Sequence, residues 1–204
     1  SSGTYPKSSV RSAVRRERRT SISRNNRKDI FSQAAIVLMQ LETPVATLTK
    51  VAAIAKQQGA LVVLNPAPAP TAPLPKELLR NVDLLIPNET EASAMSGVAV
   101  ETEADIPAAM ERLQTLGIQH IIVTLGSKGA CTCIDGELLL VPSRKVEAVD
   151  TTAAGDTFCG ALCTALLQSK KMPEAMLYGC KAAAVSVTRR GAQMSMPYKD
   201  EVEN

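Results

Sequence analysis

Asp150-Thr151-Thr152-Ala153-Ala154-Gly155-Asp156-Thr157-Phe158 is the stretch on which the reading of this chain turns. Small residues and a glycine run into an acidic residue, and apolar residues at helical spacing follow through Gln168. Such a turn leaves the backbone N–H groups of Ala153, Ala154, Gly155 and Asp156 pointing outward at a helix N-terminus, where they attract an anion. It also sets the Asp156 carboxylate beside that anion, in reach of the proton of an attacking hydroxyl. Anion cradle plus adjacent base is the minimum equipment for phosphoryl transfer. The plain alternative is an ordinary helix start, with Thr152 as N-cap and Asp156 in the favourable first turn.

Working outward, strand-like and helix-like runs alternate from Gln33 onward. Ala35–Leu41 reads as a strand, and Val45–Gln58 as a helix entered past Pro44 and stopped by Gly59. Ala60–Leu64 and Val82–Ile86 read as further strands, with a short helix at Lys76–Asn81 between them. Asn88 or Thr90 can cap a helix through Met95, and Asp105–Leu116 precedes the apolar strand His120–Leu125. Ala130–Ile134 and Glu137–Val141, joined by Asp135-Gly136, read as a hairpin. Gly155–Gln168 and Pro173–Thr188 complete the series as helices. Continuous apolar strands separated by helices imply an α/β fold, a mostly parallel sheet with helices on both faces. Ligands of such sheets sit beyond the strand carboxyl ends, so Glu42, Asn65, Asn88 and Gly126 should share one rim.

The composition narrows the options. Of 204 residues 45% are apolar, enough for a core, yet no run approaches the ~18 residues of a membrane span. No export leader is visible, and a cytoplasmic protein without membrane partners is expected. The five cysteines are odd in number, Cys131-x-Cys133 lacks the spacing of a zinc site, and His120 is the single histidine. Reduced, mostly buried thiols are the expectation. Residues 1–30 carry nine Lys/Arg against two Asp/Glu, a balance of +7, whereas the remainder carries −4. A basic arm of this kind can bind nucleic acid, but interleaved aromatics and apolar periodicity are missing, which weighs against that reading.

Several motifs in one order give a more specific reading. The nonapeptide resembles the C-terminal motif of the PfkB-type carbohydrate kinases, within them the ribokinase group. So do Met39-Gln40-Leu41-Glu42, Asn65-Pro66-Ala67-Pro68-Ala69, Asn88-Glu89-Thr90-Glu91, Thr124-Leu125-Gly126-Ser127-Lys128-Gly129 and Thr188-Arg189-Arg190-Gly191-Ala192-Gln193. The resemblance runs from about Gln33 to about Pro197. It implies a ribokinase-like three-layer sandwich over 33–204, with the relatives' N-terminal strands, sugar-binding segment and β-sheet lid missing from this chain. Residues 1–32 do not share it and are expected to be a disordered or non-native leader.

The resemblance also implies roles. Asp156 would be the catalytic base, and the amides from Ala153 to Asp156 the hole for the γ-phosphoryl oxygens. Glu42 would contact the sugar together with Asp156. Asn88, Thr124, Gly126, Ser127, Gly129, Gly155 and Cys180 would bind ATP, the glycines by letting backbone approach the ligand. Glu91 would hold Mg²⁺ through water. Asp150, Thr152, Ser186, Arg189, Gly191 and Ser195 would surround an activating K⁺, several of them through carbonyls. Read without the resemblance, Asn88 and Glu91 are an N-cap and a solvated first-turn residue, and Gly-Ser-Lys-Gly is a turn. Two functional expectations follow: ATP-dependent phosphorylation of a pentose, D-ribose to ribose 5-phosphate ahead of deoxyribose, or a truncated remnant that binds nucleotide without turnover. Full-length relatives would pair as homodimers through the lid.

Overall fold

The computed structural model describes residues 31–203. The basic segment, and with it residues 1–30 of the expected leader, lies outside the described residues.

The alternating runs build one six-stranded sheet whose spatial order follows the chain. Strands β1 (Ile36–Gln40), β2 (Leu61–Asn65), β3 (Leu84–Leu85) and β4 (His120–Thr124) are parallel. The hairpin β5 (Gly129–Ile134) and β6 (Glu137–Pro142) extends the sheet antiparallel. Parallel neighbours require crossovers. These are α1 (Val45–Gln57), α2 (Lys76–Leu79), and the pair α3 (Glu89–Ser96) and α4 (Ile106–Gln114). After the hairpin come α5 (Ala154–Leu167), α6 (Met172–Ser186) and the short α7 (Lys199–Glu203).

Successive strand residues point to opposite faces, and β2 divides accordingly. Val62 and Leu64 pack with Leu48 and Ala52 of α1, Leu78 of α2 and Met110 of α4. Val63 packs with Phe158 and Leu162 of α5 and Met176 of α6. Both faces are covered, which is why these strands are apolar throughout, and the result is the three-layer α/β sandwich expected. Cys131, Cys159, Cys163 and Cys180 are free and buried. Burial pushes the Cys163 and Cys180 thiols up to about 11.

Two local expectations change. The strand expected over 82–86 is regular only at Leu84–Leu85; at its start the Asp83 carboxylate, paired with Lys56, accepts the Val62 N–H at 2.9 Å where a backbone carbonyl would otherwise stand. The second change concerns α5. Its N-cap is Ala153, not Thr152, and Ala153 holds the left-handed conformation (φ 60°, ψ 13°) without any side-chain cap. A Cβ in that region costs roughly 1–2 kcal/mol. The uncapped turn is what leaves the helix N-terminus open.

Candidate active site

The carboxyl ends of the parallel strands meet the N-terminus of α5 at one rim. Gln40 and Asn65 end β1 and β2 and are register partners, so their side chains stand side by side on the α5 face. Gln40 Nε2 donates to Asn65 Oδ1 at 2.8 Å and to Asp156 Oδ1 at 2.6 Å. Asn65 Nδ2 in turn donates to the Ile86 carbonyl at 2.7 Å. Beyond β3, Asn88 caps α3: its Oδ1 accepts the Glu91 N–H at 2.8 Å. Glu91 reciprocates, Oε2 accepting the Asn88 N–H at 2.9 Å and Oε1 the Asn88 side-chain amide at 3.1 Å. The Asn-x-x-Glu spacing therefore forms a capping box. Thr124 ends β4, its N–H donating to the Pro87 carbonyl at 2.9 Å.

At α5 the Ala154 N–H turns back onto the Thr151 carbonyl at 3.2 Å. Among the described residues, no backbone bond takes up the amides of Ala153, Gly155 or Asp156. The four-amide cradle expected from sequence thus has one member engaged and three available. A Cβ on Gly155 would meet nothing within 4 Å, so the glycine keeps open space open. A cavity of about 170 Å³ lies between the two halves. Thr151, Ala153, Ala154, Gly155 and Asp156 line it from the α5 side, and Asn65, Ala67, Asn88, Glu91 and Thr124 from the strand ends. A larger groove of about 340 Å³ runs along the outer side of α5 and shares only Asp156 with it. The smaller cavity is the one that brings Asn65, Asn88, Glu91 and Thr124 together with Asp156 and the start of α5. An exposed carboxylate, open amides at a helix start and hydrogen-bonding side chains from four strand ends can grip a phosphate and deprotonate a hydroxyl in one place.

Comparison with known proteins agrees with that chemistry. Residues 11–199 match the model of the pfkB family carbohydrate kinases. The chain belongs to the PfkB family. The match begins within the basic segment, upstream of Gln33. The ribokinase of Haemophilus influenzae is 45% identical over 171 residues, 84% of this chain and 55% of that protein. The ribokinase of Staphylococcus aureus is 39% identical over 178 residues, 87% of this chain and 58% of that one. Among solved structures, Arabidopsis thaliana ribokinase complexed with ribose and ATP superposes with a TM-score of 0.82 at 36% identity, covering 89% of this chain and 58% of that chain. The chain therefore spans little more than half the length of these PfkB relatives.

The remaining site residues expected from the PfkB resemblance fall into three groups. Asp150 ties two loops together, Oδ1 accepting the Thr152 N–H and Oδ2 the Gly191 N–H, each at 2.9 Å. Those bonds, the Gly191 one foremost, hold its carboxyl at about 2. The Val149 and Asp150 amides both donate to the Val187 carbonyl. Thr152, Gly191 and the end of α6 are thereby brought to one place, as a cation enclosed by carbonyls would need. The side chains of Ser186 and Ser195 turn back onto the Ala183 and Ala192 carbonyls, and that of Arg189 pairs with Glu201. The Arg189 side chain is thus committed elsewhere, while the Ser186 and Ser195 hydroxyls donate to their own turns and keep oxygen lone pairs.

A second group lies away from the cavity. Glu42 is exposed and does not line it, because it stands past the end of β1, whereas Gln40 two residues earlier reaches Asp156. Cys180, expected against the adenine, is 3% exposed and sits in the core against α5 and the sheet, its thiol 3.7 Å from the Val141 carbonyl. In the third group, Gly126–Lys128 forms a single tight turn with Gly126 at φ +56°. Gly129 has a reason of its own, since a Cβ there would lie 2.1 Å from the Val141 carbonyl oxygen. Gln40, which bonds Asp156, was given no role from sequence, and Asn65 behind it was placed on the ligand rim without one. Counting by twos from Ile36 would have put Gln40 on the α5 face.

Glu91 is not the solvated residue of the plain reading, since it is 4% exposed. Burial raises its carboxyl pKa from 4.5, offset in part by the Asn88 N–H. Each of its oxygens keeps a further lone pair, and it lines the cavity, so the donor set suits a hydrated Mg²⁺. The raised pKa has a sign. Above pH 4.5 the folded chain holds this proton more tightly than the unfolded chain, so stability falls as pH rises through the folded value. Glu91→Gln cannot ionise. Its unfolding free energy should decline less than that of wild type between pH 4 and pH 7 in urea titrations, whatever the offset between the two curves. Parallel curves would return Glu91 to the solvated reading.

Proposed function

We propose that this PfkB-family protein transfers the γ-phosphoryl group of ATP to a hydroxyl of a pentose, D-ribose giving ribose 5-phosphate. The observation that carries this reading is the meeting of the Asp156 carboxylate with open backbone amides in one cavity lined also by Asn88, Glu91 and Thr124. Asp156 accepts the proton of the sugar hydroxyl as its oxygen bonds to the γ-phosphorus, and the bond from that phosphorus to the β-phosphate oxygen breaks to release ADP. Charge on the γ-phosphoryl oxygens grows in that step, and the amides of Ala153, Gly155 and Asp156, which no backbone bond takes up among the described residues, would stabilise it there. Asn88 and Thr124, which line the same cavity, would bind the nucleotide phosphates. Mg²⁺, held through water by Glu91, would supply further neutralisation of the phosphates. A K⁺ between the Asp150–Thr152 turn and the Ser186–Gly191 segment would keep the cradle ordered. The identities to ribokinases and the likeness to a structure described as complexed with ribose and ATP support ribose as the acceptor.

The test is ATP consumption by the purified chain with Mg²⁺ and K⁺, offered ribose, deoxyribose or no sugar. Turnover that requires sugar and prefers ribose is the expected result. ATP binding by a folded sample without sugar-dependent turnover would replace this reading with that of a nucleotide-binding protein.

A further inference from the structure

The base in this site has a support that neither the motif pattern nor the relatives' names assign. We infer that Gln40 is a positioning residue: its side-chain amide holds Asp156 Oδ1 and leaves Oδ2 for the sugar hydroxyl. The inference rests on Asp156 acting as the base. The direction of every bond is fixed by chemistry, starting from the core. The Ile86 carbonyl can only accept, so Asn65 must turn its Nδ2 toward it, at 2.7 Å. That leaves Asn65 Oδ1, an acceptor, facing Gln40, so Gln40 must present its NH₂ group, at 2.8 Å. The second hydrogen of the same nitrogen is then committed to Asp156 Oδ1, at 2.6 Å. Asn65 is 8% exposed and its register with Gln40 is set by the β1–β2 ladder. The relay thus carries the rigidity of the sheet to a carboxylate that itself stands exposed at a helix start.

The donor's neutrality suits the role. A lysine or arginine at this place would bind the carboxylate as an ion pair and lower its basicity, whereas an amide orients it without adding charge. A mere packing residue would not need a donor at all. Gln40→Met preserves length and shape and removes both N–H groups. If Gln40 positions the base, kcat falls about 10- to 100-fold, the scale of a misplaced base, while the KM for ATP and the thermal midpoint stay within error.

Two readouts decide it. In steady-state assays with ribose, an unchanged kcat in Gln40→Met overturns the inference, as does a loss confined to KM. In ¹⁵N-labelled protein, the Gln40 side-chain amide resonances, assigned by their absence from Gln40→Met, should move and exchange faster with solvent in Asp156→Ala. They should respond likewise in Asn65→Ala. Resonances indifferent to Asp156→Ala overturn the inference whether or not the chain turns over. If wild type shows no turnover, the kinase reading fails separately, and the amide resonances alone decide whether Gln40 holds the carboxylate.

Discussion

On the proposed kinase reading, Asp156→Asn should lower ribose-dependent ATP turnover by about 10²- to 10⁴-fold, the usual worth of a positioned general base, and leave folding and ATP binding intact. The substitution is close to isosteric. Asn Oδ1 can still accept from Gln40 Nε2, now 2.6 Å from the aspartate oxygen, so the relay to Asn65 survives. What would be lost is the oxygen proposed to take the proton, since an amide nitrogen presented to the sugar hydroxyl is a donor. Removing a first-turn carboxylate also forfeits its favourable interaction with the α5 dipole, about 0.3–1 kcal/mol, too little to unfold a domain of this size. The proposed reading draws the nucleotide's contacts from Asn88, Thr124 and the α5 amides, so its affinity should hold. Calorimetric ATP titration alongside a coupled ADP assay separates the two quantities. Turnover near the wild-type rate in the variant would remove Asp156 from the role of base, and lost ATP binding would make it a nucleotide ligand instead.

The sequence carried most of the scaffold because burial on both faces leaves a dense local record. Val62 to Leu64 is apolar throughout since Val62 and Leu64 face α1 and α2 while Val63 faces α5. Asn88 was legible as a cap, beside Thr90 as the other candidate; the return bonds from Glu91 that close the capping box were not read. That Glu91 would be buried was not legible either, because a first-turn glutamate with a sheet edge over it looks the same in sequence as one in water. The start of α5 was misplaced by one residue for a physical reason. Alanine disfavours positive φ, and nothing in the sequence announces that Ala153 adopts it. Gln40 was missed because its partner Asp156 lies 116 residues away. A polar residue at the end of a strand reads as a terminus until the helix that meets it is in place. The glutamate two residues on drew the attention instead, although it falls beyond the last paired residue of β1. Long-range side-chain pairing was the part that local pattern could not supply.

Gly129 offers the sharpest separation of fold from ligand. From the motif it belongs to a glycine turn wrapped around nucleotide; in the structure it opens β5 with φ +113°, and a Cβ would meet the Val141 oxygen at 2.1 Å, the Ser143 nitrogen at 2.7 Å and the Pro142 carbon at 2.9 Å. All three are backbone atoms of β6 or the residue after it, so no side chain can swing aside. Relief would require parting the hairpin at the Gly129–Pro142 pair. The Leu125 N–H, which donates to the Gly129 carbonyl at 2.8 Å, would move with it. A disallowed φ costs about 1–3 kcal/mol and forced overpacking about as much again. Gly129→Ala should therefore destabilise the protein by about 3–5 kcal/mol in urea unfolding, a large part of a domain's total. Gly126→Ala is the control: φ is +56° but nothing lies within 4 Å of its Cβ, so about 1–2 kcal/mol is expected. Were Gly129 kept for close approach to ATP, the order would reverse, with Gly129→Ala folding like wild type and losing only nucleotide affinity.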